Sequence, residues 1–382
     1  MDAASKKSLV DRAWGLSLDD RMDKTLTAYF EYCLSQLGGK STQALFFISL
    51  LKKNMGVPKK DLKAAVEEVQ QGRLVGSAHT TVSETIDMPK LEDTIRVALS
   101  DPSFKINSAL SQAVRLVWAT HLTMSQNEIV SHSVKVHWDD SATLHDVLKN
   151  AFPESPSPSS IANFAPTPIK RSKLCARYLL NHADIELEWT RHLPDHLDLD
   201  RDGKKLRIFE LVSMLEITKK SQGATEVDLA RSLERGCFQE DFIVETLMTI
   251  TLLFPPRDRA WLDSIIRPRR KWMVWRKQTP ARDERLSAPF DLQIKGIQKF
   301  EKFRRSILNT ADLFDIYPHW ASRLQLIYEE AEDPTPSSTV AFALAILFGL
   351  AATILGALQL WVSYCQWQVP DGGHGCGSKR GK

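Results

Sequence analysis

An uncharged run near the end of the chain limits its fold more than any other feature. No Asp, Glu, Lys or Arg occurs in residues 334–370, and the centre of the run, 340–362, reads VAFALAILFGLAATILGALQLWV. Among these 23 residues only Thr353 and Gln359 are clearly polar. At about 1.5 Å per residue a helix of that length spans roughly 34 Å, enough to cross a hydrocarbon core of about 30 Å. Trp361, Tyr364 and Trp367 follow at its end, where amphipathic aromatic rings favour the headgroup layer. A buried core helix is the competing reading, but such helices are rarely apolar on every face over this length. The sequence therefore predicts a C-terminal transmembrane helix over 338–366, with Val340, Gly349, Gly356 and Trp361 in the span, followed by a short basic tail, 367–382.

Orientation rests on two opposed arguments. The tail ends with Lys379, Arg380 and Lys382, whereas Glu329, Glu330, Glu332 and Asp333 precede the span. The positive-inside rule would keep the tail in the cytosol. The N-terminal stretch MDAASKKSLVDRAWGLSLDDRMDK, however, has no apolar run of signal-peptide length. Moving some 330 polar residues across a bilayer without such a signal is the harder event. The expectation is a single-pass tail anchor with the N-terminal domains in the cytosol and the organelle open. A lipid (GPI) anchor is disfavoured, because the apolar run is not terminal.

Ala341, Ala345, Gly349, Ala352 and Gly356 recur at steps of three and four, placing small residues on one helix face. Close approach of two such faces would make a homodimer through the span. The frequency of Ala and Gly in any span explains the same pattern. Cys365 lies at the span's edge, where palmitoylation occurs. The five cysteines, at 33, 175, 237, 365 and 376, form no CxxC or zinc-ribbon spacing, which suits free thiols in a reducing compartment.

For the remainder, 382 residues suggest two folded units. Hydrophobic residues at 43% and charged residues at 25% exclude a wholly disordered or polytopic membrane chain. The net charge of +3 dictates no partner. Helical periodicity runs through 17–36, 42–53, 60–72 and 105–124. Short strands are predicted at 133–138, 185–190 and 205–209, which are brief and rich in β-branched or aromatic residues. The segment PESPSPSSIANFAPTP at 153–168 reads as a linker. The expected fold is mainly α with a few short β-strands. It comprises an N-terminal helical domain (1–128), a short strand–helix segment (129–152), the linker, and an α+β second domain (169–333) holding a basic segment, 267–305.

Four motifs recur in order. The first is V-x-W-D-D-S-x-x-L-x-D ending in FP, here Val136, Trp138, Asp139, Asp140, Ser141, Leu144, Asp146, Phe152 and Pro153. The second is a basic helix, a strand and a D-H-L-x-L-D turn, with Asp195, His196, Leu197, Asp198, Leu199 and Asp200 forming the turn. The third is the T-L-x-L-L-F-P-like end at Thr251, Leu252, Leu253, Phe254 and Pro255, and the fourth is W-x-x-R-L from Trp320 to Leu324. In this string, over roughly 130–366, the chain resembles a broad group of uncharacterised fungal single-pass membrane proteins. The resemblance implies a membrane protein with no assigned activity and no catalytic residues to carry over.

Several patterns imitate active sites. Gly38-Gly39-Lys40-Ser41-Thr42 ends like a P-loop, but Leu34 stands where the first glycine belongs. A helix stop followed by a new helix start explains it. Asp198, Asp200, Asp202 and Gly203 begin like an EF-hand, but Phe209 occupies the position of the bidentate acid; a β-turn accounts for them. Alternation along a strand would set His132 and His137 on opposite faces, away from a shared metal. Pro194 makes a regular helix carrying His192 and His196 doubtful. No metal, cofactor or catalytic residue is therefore assigned.

The remaining signal is charge. Residues 267–305 hold thirteen basic and four acidic side chains. Arg267, Arg269, Arg270, Lys271, Arg276 and Lys277 interleave with Trp272 and Trp275. Such a patch holds anionic lipid headgroups, at about 1 kcal/mol per cation, or nucleic acid phosphates with Trp stacked on bases. A solvated loop leading into one helix has the same composition. The nearby span favours lipid over nucleic acid. Two function classes follow: a scaffold that recruits a protein partner at a cytosolic membrane face, or a membrane-tethered enzyme with a site not written in motifs.

Overall fold

The computed structural model describes residues 1–37, 41–71, 104–124, 134–152, 167–223, 240–266, 297–332 and 338–368, with a few single positions between them. It divides into two units, Met1–Glu332 and Asp333–Lys382. The fold is mainly α with a few short strands, as expected.

The first unit starts with α1 (Ala3–Trp14), α2 (Asp20–Thr25), α3 (Thr27–Leu37), α4 (Ser41–Lys53) and α5 (Lys59–Gln70). Asp2 caps α1 by accepting from the Ser5 N–H at 2.7 Å, and Gly15, at φ 65°, closes it in the left-handed conformation that glycine adopts without penalty. The single helical stretch expected over 17–36 is two helices, because the chain breaks at Leu26. Next, α6 (Ile106–Trp118) packs against α4 and buries Leu110, Val114, Val117 and Trp118. The two-residue strands β1 (Leu122–Thr123) and β2 (Val136–His137) pair in parallel, and Thr143 caps α7 (Leu144–Ala151).

From there β3 (Pro168–Lys170) leads through a 3-10 turn into α8 (Ala176–His182). A three-stranded sheet follows, of β4 (Glu186–Thr190), β5 (Leu199–Asp200) and β6 (Lys205–Phe209), in the order β4-β6-β5. β6 runs parallel to β4 and antiparallel to β5. The strands at 136–137, 186–190 and 205–209 fall where the sequence puts them. The unit is completed by α9 (Val212–Gly223), α10 (Glu240–Leu253), α11 (Arg259–Ile266), α12 (Ile297–Arg304), β7 (Ile307–Asn309), α13 (Thr310–Ile316) and α14 (Ala321–Glu332). β7 pairs antiparallel with β3, and a capping box of Asn309 with Asp312 starts α13.

The expected division into a helical domain at 1–128 and an α+β domain at 169–333 is not seen as two compact units. One buried cluster runs through both, from Leu9 and Trp14 to Leu324 and Tyr328. Trp14 Nε1 donates to Thr218 Oγ1 at 3.0 Å, and the Leu193 N–H donates to the Ala119 carbonyl at 2.8 Å. A composition-based boundary assumes that each side closes its own core; here α1, α4 and α6 pack mainly on one another, but α1 and α3 also meet α9 from the second half. The linker residues 153–166 lie outside the described residues. Cys33 and Cys175 are buried thiols outside any disulfide.

Among its described residues the second unit holds one helix, α15 (Ser338–Gln368), over the stretch where the sequence predicts a span.

Candidate functional site

In α15 the 22 residues Leu344–Cys365 have a mean hydropathy of 2.0, and none of that stretch is buried. Phe348 is 72% exposed, Leu360 74% and Trp361 63%. Among the described residues thirteen of the seventeen exposed large hydrophobic side chains belong to α15, and the other four are scattered singly over the first unit. Scattered apolar residues are ordinary, whereas a contiguous exposed helix marks an interaction surface. The Thr353 hydroxyl lies 3.0 Å from the Gly349 carbonyl and 2.8 Å from that of Leu350, so this polar group is satisfied within the helix, as a hydrocarbon environment requires. Nothing stands within 4 Å of a Cβ built on Gly349 or Gly356, so both glycines are open to a close neighbour. Val340 lies in the first turn of the helix. α15 is thus long and apolar enough to cross a membrane.

The cations Arg267, Arg269, Arg270, Lys271, Arg276 and Lys277, with Trp272 and Trp275, lie outside the described residues. So do His132 and Gly38, Gly39 and Lys40 of the P-loop-like stretch, although a helix and not a strand runs into it.

The motifs at 136–146 and 195–200 are joints of the fold. Trp138 is fully buried, and its Nε1 donates to the Ala142 carbonyl at 3.0 Å. The carbonyls of Ala142 and Asp140 accept the Lys59 and Lys60 N–H groups at 3.1 and 2.9 Å, satisfying donors that the first turn of α5 leaves open. Lys59, itself buried, donates to the Trp138 carbonyl and pairs with Asp140 at 2.9 Å. That contact holds the Asp140 carboxyl below its usual range.

His192 and His196 flank a 3-10 turn, Leu193–Asp195, and both are buried. His192 Nδ1 accepts the His121 N–H at 3.0 Å, and its Nε2 meets the Val134 carbonyl at 3.0 Å. His196 Nδ1 accepts the Phe209 N–H at 3.2 Å, so Nε2 carries the proton and donates to Thr249 Oγ1 at 2.8 Å. Burial pulls the His196 pKa down to about 3, with the Arg323 charge adding to the effect. Arg323 donates to the Pro194 carbonyl at 2.8 Å and to that of His196. The Trp320 indole donates to Thr246 Oγ1 at 3.0 Å. Glu245, also buried, accepts the N–H groups of His319 and Trp320 at 2.8 and 2.9 Å and touches His319 Nδ1 at 2.6 Å. With both nitrogens of each ring engaged, His192 and His196 offer no lone pair to a metal or a substrate.

The EF-hand-like stretch is the β5–β6 turn, closed by a Gly203 N–H bond to Asp200 Oδ1 at 3.0 Å. Among the described residues no three His, Cys, Asp or Glu side chains stand together as metal ligands.

The hollows of the first unit include two lined by described residues. One, of about 550 Å³, lies between the end of α3 and one face of α6, lined by Gln36, Asn107, Ser108, Gln112, Arg115 and His121 among others. The other, of about 430 Å³, is crossed by the Arg177–Asp258 ion pair at 3.3 Å. Periodicity places α6 but does not show which side of it stays uncovered, so sequence reasoning passed over the first hollow.

Comparison of the chain with protein-family models, curated proteins and solved structures finds no match.

Proposed function

We propose that the chain is a single-pass, tail-anchored membrane protein whose first unit faces the cytosol and works as a protein-binding or scaffold module. The observation that carries this reading is α15, whose apolar side chains point outward over Leu344–Cys365. A helix so exposed needs an apolar solvent, and its length suits a bilayer. The binding-module half draws support from the buried histidines and Arg323, whose bonds go to main-chain carbonyls, main-chain N–H groups and hydroxyls rather than into an open hollow. In this reading the basic segment 267–305 touches anionic headgroups. Protease protection of an epitope placed after Lys382 tests the topology. Intact organelles are expected to shield the tail while the first unit is digested; a digested tail with a protected first unit contradicts it. Vesicle flotation with and without anionic lipid tests the basic segment, and binding is expected to fall when its Lys and Arg residues are changed to Gln.

A further inference from the structure

We infer that the exposed face of the β3–β7 pair rests on the anionic surface of a bilayer, with Lys170, Arg171 and Arg305 against lipid headgroups and Ile307 among them. The inference rests on the anchor half of the reading above and names the surface of the first unit that meets lipid.

Chain connectivity selects the face. α14 ends at Glu332 and α15 starts at Ser338. Residues 333–337 lie between them, and a stretch of that length reaches at most about 20 Å when fully extended. A span in the bilayer therefore keeps Glu332 close to the headgroups, and the side chains around Glu332 meet them at least cost. Glu332 Oε1 accepts from Lys173 at 3.0 Å and lies 2.7 Å from the Tyr328 hydroxyl. That hydroxyl accepts the Lys170 N–H at 3.3 Å. Lys170 stands opposite Ile307 in the β3–β7 register, and the Arg171 N–H donates to the Ser306 carbonyl at 3.1 Å. A continuous run of contacts leads from the tether to the strand pair.

Charge selects the occupant. Both strands alternate between exposed and buried positions: Ile169 and Leu308 are buried, whereas Pro168, Lys170, Ile307 and Asn309 are exposed. One exposed isoleucine is ordinary, but Ile307, 53% exposed, is set among cations. Lys170 lies across the pair, Arg305 stands two residues before Ile307, and the Arg171 guanidinium donates to the carbonyls of Phe303 and Arg305. Among the described residues no carboxylate lies within ion-pair distance of Lys170 or Arg171. Arg305 shares Asp312 with Lys302, at 3.6 and 3.4 Å. The acids at the end of α14 are paired as well: Glu332 with Lys173, Glu329 with Arg201 at 3.8 Å, and Glu330 with Arg201 and Lys204 at 4.0 Å. The face is therefore left with net positive charge beside the tether.

Two or three cations, each worth about fivefold near an anionic surface, are too few to hold a free domain on a membrane. They suffice here, because the tether makes the contact intramolecular, at an effective concentration in the millimolar range. A protein partner arrives without that advantage.

The test uses the full chain with an environment-sensitive fluorescent amino acid encoded at position 307, reconstituted into vesicles of phosphatidylcholine with and without phosphatidylserine. Flotation first reports whether the chain is in the vesicles. With phosphatidylserine the emission is expected to shift to the blue and to be quenched by brominated lipid; with phosphatidylcholine alone both effects are expected to shrink. K170Q is expected to lower the ratio of docked to undocked chains about fivefold, the share of one cation near such a surface, with the melting temperature unchanged. Raised salt is expected to act in the same direction. A chain that floats while position 307 stays in water leaves the face to a protein partner and overturns the inference alone. So does a blue shift that ignores phosphatidylserine, or a K170Q variant that docks as the parent does. A chain that does not float overturns the anchor and this inference with it.

Discussion

The rings of His196 and Trp320 meet edge to face, with centroids 4.9 Å apart and planes at 86°. Arg323, one turn along α14 from Trp320, donates to the carbonyls on the His196 side of the same contact. The D-H-L-x-L-D turn and the W-x-x-R-L segment, remote in sequence, are therefore two halves of one joint. The residues of these two motifs join distant parts of the first unit.

Replacing His196 with Ala removes the acceptor of the Phe209 N–H and the donor to Thr249 Oγ1. Each buried group left unpaired costs about 1–3 kcal/mol, so the variant is expected to lose about 2–5 kcal/mol. Urea unfolding of the full chain in micelles, followed by Trp fluorescence, measures the loss. A loss below about 1 kcal/mol contradicts the bonding described.

The depressed pKa of His196, about 3 against an ordinary 6.5, has a signed consequence. Between these values the unfolded chain takes up a proton that the folded chain refuses, so acidification favours unfolding. The contribution is complete above about pH 6.5 and falls toward pH 3, at up to ~1.4 kcal/mol per pH unit. In His196→Gln the fall between pH 6.5 and 5 is expected to be shallower by up to that amount. An unchanged slope shows that other groups carry it.

Arg323→Met leaves the Pro194 and His196 carbonyls without their donor and is expected to cost about 3 kcal/mol, since hydrogen bonds to charged groups contribute more than neutral ones. Arg323→Lys is expected to recover only part of this, because a point ammonium replaces a planar fork. Parallel melts of both variants settle the order.

The apolar patterning located α4, α5, α10 and α15 closely: α5 buries one stripe, α4 and α10 are buried on most sides, and Leu344–Cys365 of α15 is not buried at all. The strands at 186–190 and 205–209 were legible from their Leu, Ile, Phe and Trp content. What the sequence hid was long-range. Nothing local in Trp14 points to Thr218, and nothing local in Lys59 points to Trp138, yet these contacts make residues 1–332 one unit. The joint around His196 was hidden in the same way: Pro194 argued correctly against a helix, but a histidine's partners are set by tertiary contacts. The Arg115 hollow was missed because α6 reads as an ordinary amphipathic helix.

Leu355, 61% exposed, stands near the middle of α15. Leu355→Arg is expected to make insertion less favourable by about 3 kcal/mol, on the scale for a charge at a span's centre. A microsome integration assay reads this as a drop in the integrated fraction. Integration at the parental level contradicts a centrally placed Leu355.

The central claim, that α15 is solvated by lipid, is tested most directly by sedimenting a lysate without detergent after an alkaline carbonate wash. The full chain is expected in the membrane pellet, and a variant ending at residue 337 in the supernatant. A full chain that stays in the supernatant contradicts the account.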